Sequence, residues 1–196
     1  MRDFRMVVFL LILFSICTLL LTGGKLAYDR ASAVFNRRLY AEILDLYDYQ
    51  YNEETVESDF ARNFKTLNIG SRVFYVEKNP ERKTVVFKAD GPGLWSQIEV
   101  LLAVDADKEE IFGLRVLSQG ETPGLGGRIS EKAFQDSFSG LDIKPEVKVV
   151  KFATRANEVD AISGATKTSQ ALENLINRGL ENLERESDIL FSEGGN

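Results

Sequence analysis

Between Met6 and Gly24 the chain runs nineteen residues without a charge, dominated by Leu, Ile, Val and Phe, and the run stops at Lys25. At a helical rise of ~1.5 Å per residue, a run of this length spans about 28 Å, close to the apolar thickness of a bilayer. It predicts a transmembrane helix or an uncleaved signal anchor. A cleavable signal has a shorter apolar core of about 7 to 15 residues and a small-x-small exit, and neither is evident here. The lone Cys17 lies inside the run behind the bulky, branched Ile16. That neighbour suits neither lipidation nor metal binding, and an inert thiol buried in the anchor is expected. Arg2 and Arg5 flank one side of the run and Lys25, Arg30, Arg37 and Arg38 the other, so flanking charge does not orient the helix.

Beyond the anchor, Phe35, Leu39, Ile43 and Leu46 recur at helical spacing, which predicts an amphipathic stem from Lys25 to about Asp48. Tyr47, Tyr49 and Tyr51 at its end are expected to pack the stem and not to stack a cofactor. Asn52 to Asn68 is polar and acidic, a linker or short helices. Arg72–Glu77 and Thr84–Ala89 are short β-type runs separated by turn chemistry at Asn79-Pro80, and Gln97–Val104 and Ile111–Leu117 form a second pair around Asp105 to Glu109. A helix is expected over Ser130–Phe138 with Ser130 as N-cap, a strand over Lys148–Phe152, and a last helix from about Thr168 to Glu186 with Leu172, Leu175, Ile176, Leu180 and Leu183 on one face. The pattern predicts an α+β fold: an N-terminal transmembrane helix and amphipathic stem, followed by an antiparallel sheet packed with helices. The expected divisions are an anchor over 1–24, a helical stem and linker over 25–68, a globular domain over 69–186 and a polar tail over 187–196.

Composition removes several chemistries. A net charge of −6 and a pI near 4.9 argue against nucleic acid as a partner. With no histidine and one cysteine, there is no Ser-His-Asp triad, no His metal ligand or general base, and no cysteine-built iron-sulfur, zinc or intrachain disulfide site. Chemistry must come from carboxylates, lysines, hydroxyls or a cofactor.

The densest candidate is Asp160-Ala161-Ile162-Ser163-Gly164-Ala165-Thr166-Lys167-Thr168-Ser169, where hydroxyls and small residues open a periodic helix. Small residues admit a ligand close to the backbone, and a helix N-terminus favours an anion. A Walker loop fails because Thr166 stands before Lys167 where a second glycine is required. A Rossmann fingerprint fails at Gly124-Leu125-Gly126-Gly127-Arg128-Ile129, which has Ile129 at the third glycine position. A Ser-x-x-Lys nucleophile is also missing, since Ser130-Glu131-Lys132 and Ser163 to Lys167 have the wrong spacing. A helix-capping threonine in a non-catalytic anchored scaffold remains the bland alternative.

Asp160-x-x-Ser163-Gly164-Ala165-Thr166 resembles the flavinylation motif of the FMN-binding domain family, which includes the FMN-bearing subunits of the sodium-translocating NADH:quinone reductase and of the related Rnf electron-transport complex. Glu121-Thr122-Pro123-Gly124-Leu125-Gly126-Gly127 matches a second hallmark of that family, and Gly93-Leu94-Trp95-Ser96 is closer to the quinone-reductase branch than to the Rnf branch. The resemblance covers roughly Asp90 to Leu183. It implies that 69–186 is an FMN-binding domain and that Thr166 carries FMN through a phosphoester made by a flavin transferase. It also implies that the chain is an electron-transfer subunit working with other membrane subunits of an ion-translocating oxidoreductase. The location implied is the cell inner membrane, single-pass, with the globular domain extracytoplasmic.

On that resemblance, Ser163, Gly164 and Ala165 give access to Thr166, and Lys167 either neutralises the phosphodiester or is solvated. Thr168 belongs to the same helix start, and Asp160 is the acid that orients the hydroxyl or binds a metal of the donor. Thr122, Gly124, Leu125 and Gly126 lie along the ring, and Leu94 and Trp95 either face it or cap the core. Glu121 is either a polar contact of the flavin or a staple of its loop. Leu94, Trp95, Glu121 and Thr166 thus carry distinct, separable roles.

Overall fold

The computed structural model describes residues 2–193, in two compact units, Met1–Ala41 and Glu42–Asn196. The first consists of helix α1 (Arg2–Leu46) up to its final turns. This helix is long and apolar enough to cross a membrane, with a mean hydropathy of 2.5 in its most apolar window. Its large side chains stand in the open, Leu19 at 73% and Leu21 at 75% exposure. The few hydroxyls on it are satisfied internally: Ser15, Thr18 and Thr22 donate to the carbonyls of Leu11, Phe14 and Thr18 at 2.8, 2.9 and 2.6 Å. Such back-bonding leaves no polar group seeking water, which is the condition for residence in hydrocarbon.

The second unit is built on a six-stranded antiparallel meander whose spatial order is its chain order: β1 (Phe64–Ile69), β2 (Arg72–Glu77), β3 (Thr84–Pro92), β4 (Gln97–Asp105), β5 (Glu110–Ser118) and the two-residue β6 (Leu141–Asp142). Helix α2 (Val56–Asn63) leads into β1. Runs such as Thr84–Phe87 and Val100–Asp105 are buried at every residue instead of alternating, because both faces of the sheet are covered. On one face Val85, Phe87, Val100, Leu102 and Val104 join Leu172, Leu175 and Ile176 of helix α4 (Thr166–Glu193) in a single core. On the other, Tyr75 meets Phe60 of α2 with ring centroids 5.4 Å apart, and Tyr47 stacks on Phe112 at 4.4 Å. The tyrosines after α1 are therefore packing groups, and burial pushes the Tyr47 phenol well above its ordinary value. A short parallel pair, β7 (Lys148–Val150) and β8 (Glu158–Asp160), precedes α4.

Several expectations need correcting. The segment expected as linker or short helices contains α2 and also β1, whose Lys65, Thr66 and Asn68 mask the strand because only Phe64 and Leu67 are buried. Ser130 does not cap a helix over 130–138. It ends a 3₁₀ turn (Gly126–Ser130), and the helix that follows, α3 (Lys132–Asp136), starts after an extended Glu131 with no side-chain cap. The sequence signal was blurred by Gln135, which holds this region through its side chain: its amide donates to the Ser130 carbonyl at 2.7 Å and its oxygen accepts from Val116 N–H at 3.1 Å. The strand expected to reach Phe152 ends at Val150. Finally, α4 starts at Thr166 and runs to Glu193, so the expected polar tail is helical as far as that residue. Leu190, wholly buried one heptad beyond Leu183, extends the apolar stripe.

Candidate functional site

The β3–β4 connection is four residues long, closing from Pro92 to Gln97 with Gly93 N–H donating to the Ser96 carbonyl at 2.7 Å. So tight a turn pushes its central side chains outward, and Leu94 is 47% and Trp95 72% exposed. Trp95 is not a core residue, and of its two sequence-level alternatives the core cap is excluded. A second loop is folded on itself: Leu125 and Gly127 N–H both donate to the Thr122 carbonyl, at 3.1 and 3.0 Å, and Gly124 sits at φ 75°. This turn exposes Thr122 and leaves Leu125 at 46% exposure while Gly126 is buried. The third loop joins β8 to α4. Gly164 takes φ 81°, Ala165 N–H donates to the Ile162 carbonyl at 3.0 Å, and Ser163, Gly164, Thr166 and Lys167 are exposed while Ala165, Thr168 and Ser169 are buried.

Glu121 brings the three loops together. Its residue is 5% exposed, and its carboxylate accepts from Trp95 N–H at 2.9 Å, from Ser96 N–H at 3.4 Å and from the Thr168 hydroxyl at 2.7 Å. Burial alone pushes the Glu121 carboxyl up, but the Thr168 hydroxyl and the turn's backbone N–H groups outweigh it and hold the group below the usual carboxylate range. Between flavin contact and loop staple, its hydrogen bonds are those of a staple. Two glycines make room for it: a Cβ on Gly93 would lie 2.5 Å from its Oε1, and one on Gly126 would lie 2.6 Å from Thr168 Oγ1 and 3.0 Å from Glu121 Oε2. The second and third loops also touch directly, with Leu125 Cδ2 3.2 Å from where a Gly164 Cβ would stand.

The expected residues thus divide. Thr166, Ser163, Gly164, Lys167, Leu125, Thr122, Gly124, Leu94 and Trp95 are exposed, while Glu121, Gly126, Ala165 and Thr168 form the buried layer beneath. Asp160 is exposed, but its Oδ1 accepts from Ala153 N–H at 2.6 Å, and Glu158 likewise accepts from Thr154 and Arg155 N–H at 2.9 and 3.2 Å. These two acids fix the loop after β7, which displays Phe152 at 73% exposure under the Lys151 ammonium, 5.3 Å from its ring. Sequence reasoning missed Phe152 by placing it at a strand end. Its partner strand could not be seen because β8 has only three residues. Among the described residues no group of histidines, cysteines or acids is arranged to hold a metal.

A phosphorylated aromatic ligand suits this arrangement. Exposed apolar side chains on two loops offer cover to a ring, glycines keep the backbone reachable, and an exposed hydroxyl opens a long helix at its anion-favouring end. Residues 93–181 match the FMN-binding domain, and this part of the chain belongs to that family. Within the family, the chain is similar to NqrC, a component of the Na(+)-translocating NADH-quinone reductase. It is 35% identical over 127 residues to the protein of Vibrio anguillarum, covering 61% of this chain and 49% of the relative. With the protein of Haemophilus ducreyi it shares 33% over 159 residues, 68% of this chain and 62% of the relative. The chain spans about half the length of most of the curated relatives it matches. Its fold is that of the solved counterpart from Parabacteroides distasonis (TM-score 0.63, 24% identity, 75% of this chain and 89% of that one) and of Shewanella oneidensis NqrC (TM-score 0.59, 22% identity, 71% and 89%).

Proposed function

We propose that this chain is a membrane-anchored electron-transfer subunit that carries FMN on Thr166 through a phosphoester, within a sodium-translocating NADH:quinone reductase type of complex. The observation that carries the reading is the exposure of the Thr166 hydroxyl at the start of α4, flanked by Gly164 and bordered by Leu125, while the next hydroxyls, Thr168 and Ser169, are turned inward and hydrogen-bonded. A capping role needs one buried or bonded hydroxyl, and Thr168 and Ser169 already supply that. Thr166 is free for chemistry.

When bound, FMN supplies one- and two-electron redox chemistry, and the chain's part is to hold and shield it. Leu94, Trp95 and Leu125 would cover the ring, Thr122 and the loop amides would reach its polar edge, and Lys167, which has no ion pair among the described residues, would balance the phosphodiester charge. Helix α1 would place the chain in the cell inner membrane beside the other subunits. Placing the globular unit outside the cytoplasm rests on family resemblance. The divisions at 1–24, 25–68 and 69–186 are part of the same proposal, with the start of the domain moved back to include β1.

Intact mass of the protein co-produced with a flavin transferase tests the tether. The expected gain is one FMN less one water in the wild type and none in Thr166→Ala, whose melting temperature should stay near wild type because one exposed hydroxyl adds little to stability. A wild-type protein that emerges unmodified would end the assignment and leave an anchored module without a tethered cofactor.

A further inference from the structure

We infer that Glu121 is a positioning residue for the flavin seat, acting through the Trp95 turn and Thr168 and touching no cofactor itself. This rests on the reading above and adds what fixes the seat's shape.

The two walls of the seat come from elements with little else in common. One is the tip of the β3–β4 hairpin, which carries Leu94 and Trp95 outward. The other is the first turn of α4, which carries Thr166. A hairpin tip is free to bend about its last ladder pair, here Pro92 and Gln97. Glu121 ties it down: one carboxylate oxygen takes both backbone N–H groups of Trp95 and Ser96, and the other takes the hydroxyl of Thr168, two residues along the helix from Thr166. A second tie works alongside it, Gly120 N–H donating to Ser96 Oγ at 2.6 Å. A carboxylate suits this post because all of its partners are donors, and an acceptor-only group answers every one of them.

The surrounding space is cut to the same part. Gly93 and Gly126, on either side, lack the side chains that would enter the volume held by the carboxylate and the Thr168 hydroxyl. The exposed ring of Trp95 is therefore held by its backbone and not by packing, and the ring's place relative to Thr166 depends on this one buried group.

Trp95 is the only tryptophan in the chain, so the clamp can be read without the cofactor. In flavin-free protein, hydrogen exchange at the Trp95 and Ser96 amides and the fluorescence anisotropy of Trp95 are compared for wild type, Glu121→Ala and Glu121→Gln. Loss of amide protection and of anisotropy is expected in Glu121→Ala. Both should be kept in Glu121→Gln, whose amide still offers an acceptor to the turn and a donor to Thr168 Oγ. Thr168→Val, which cuts one arm only, serves as a milder variant should Glu121→Ala fail to fold, and it should raise exchange at Trp95 less.

In flavin-loaded protein the same Glu121→Ala should carry FMN at wild-type stoichiometry by mass but lose the visible circular dichroism that a fixed ring acquires, with Glu121→Gln restoring it. Unchanged exchange and anisotropy in Glu121→Ala would overturn the clamp whether or not flavin is attached. Changed exchange with an unchanged flavin spectrum would leave a staple without a positioning role and overturn the inference too. Protein that takes no flavin at all, with the exchange results as expected, would count against the tether and not against the clamp.

Discussion

Glu121 shows how one side chain can hold a fixed charge under a surface site. Its carboxyl lies below the ordinary 4.5, and the sign of the linkage follows. A group whose pKa is depressed on folding contributes stability that is complete above the unfolded value and is lost as pH falls through the folded one. The melting temperature of wild type should therefore exceed that of Glu121→Gln at pH 7, and the gap should close below about pH 4.5, which thermal melts from pH 3 to 7 would trace. A gap independent of pH would mean that the charge contributes nothing. Space around the carboxylate is equally constrained. Gly126→Ala brings a methyl within 2.6 Å of Thr168 Oγ1, and overpacking of this kind costs about 1–3 kcal/mol, measurable by urea unfolding. An unchanged midpoint would show that loop 121–127 yields easily.

At the scale of elements, α4 couples the site to the core. Its first turn presents Thr166, its middle packs Leu172, Leu175 and Ile176 on the sheet, and its final turns bury Leu190. Leu190→Ala should cost about 2–4 kcal/mol, the usual loss for a large apolar side chain deleted from a core. A fall below about 0.5 kcal/mol in urea melts, within the range of surface changes, would return residues 187–193 to the status of a tail. The same helix marks how far the sequence could be read. Its central stripe and the motif at its start were legible because apolar spacing and small residues are local signals. Its last turns were not, because one leucine among acids carries no period of its own and gains its meaning from the sheet it reaches. The β2–β5 strands could be seen as dense apolar runs, whereas β1, β6 and β8 depend on partners distant in sequence. At the site, the three loops could be named from their residues, but not the carboxylate that joins them. Glu121 and Thr168 are 47 residues apart, and no local pattern links such a pair.

At the scale of the whole molecule, the two units obey different physics, and each should survive without the other. The first 24 residues contribute side chains that stay exposed on α1, and no loss of core follows from removing them. The second unit holds its own cores: Ile43 and Leu44 are fully buried within it, as are Phe74, Leu101, Leu102 and Leu172. Unfolding a unit of this kind is governed by its buried apolar area, which the deletion leaves untouched. A chain that starts at Lys25 should then be recovered without detergent, give the far-ultraviolet signature of a mixed sheet and helix, and melt within a few degrees of the full chain in detergent. It should also accept FMN at Thr166 from a flavin transferase, because every residue proposed for the seat lies between Leu94 and Thr168. The full chain, by contrast, should partition into vesicles, since ~19 apolar residues exposed on one helix exceed what water tolerates. Size-exclusion chromatography and vesicle flotation of the two forms separate the possibilities. A shortened chain that aggregates would mean that the anchor supports the fold directly, and a full chain that stays in the aqueous fraction would remove the membrane from the proposal.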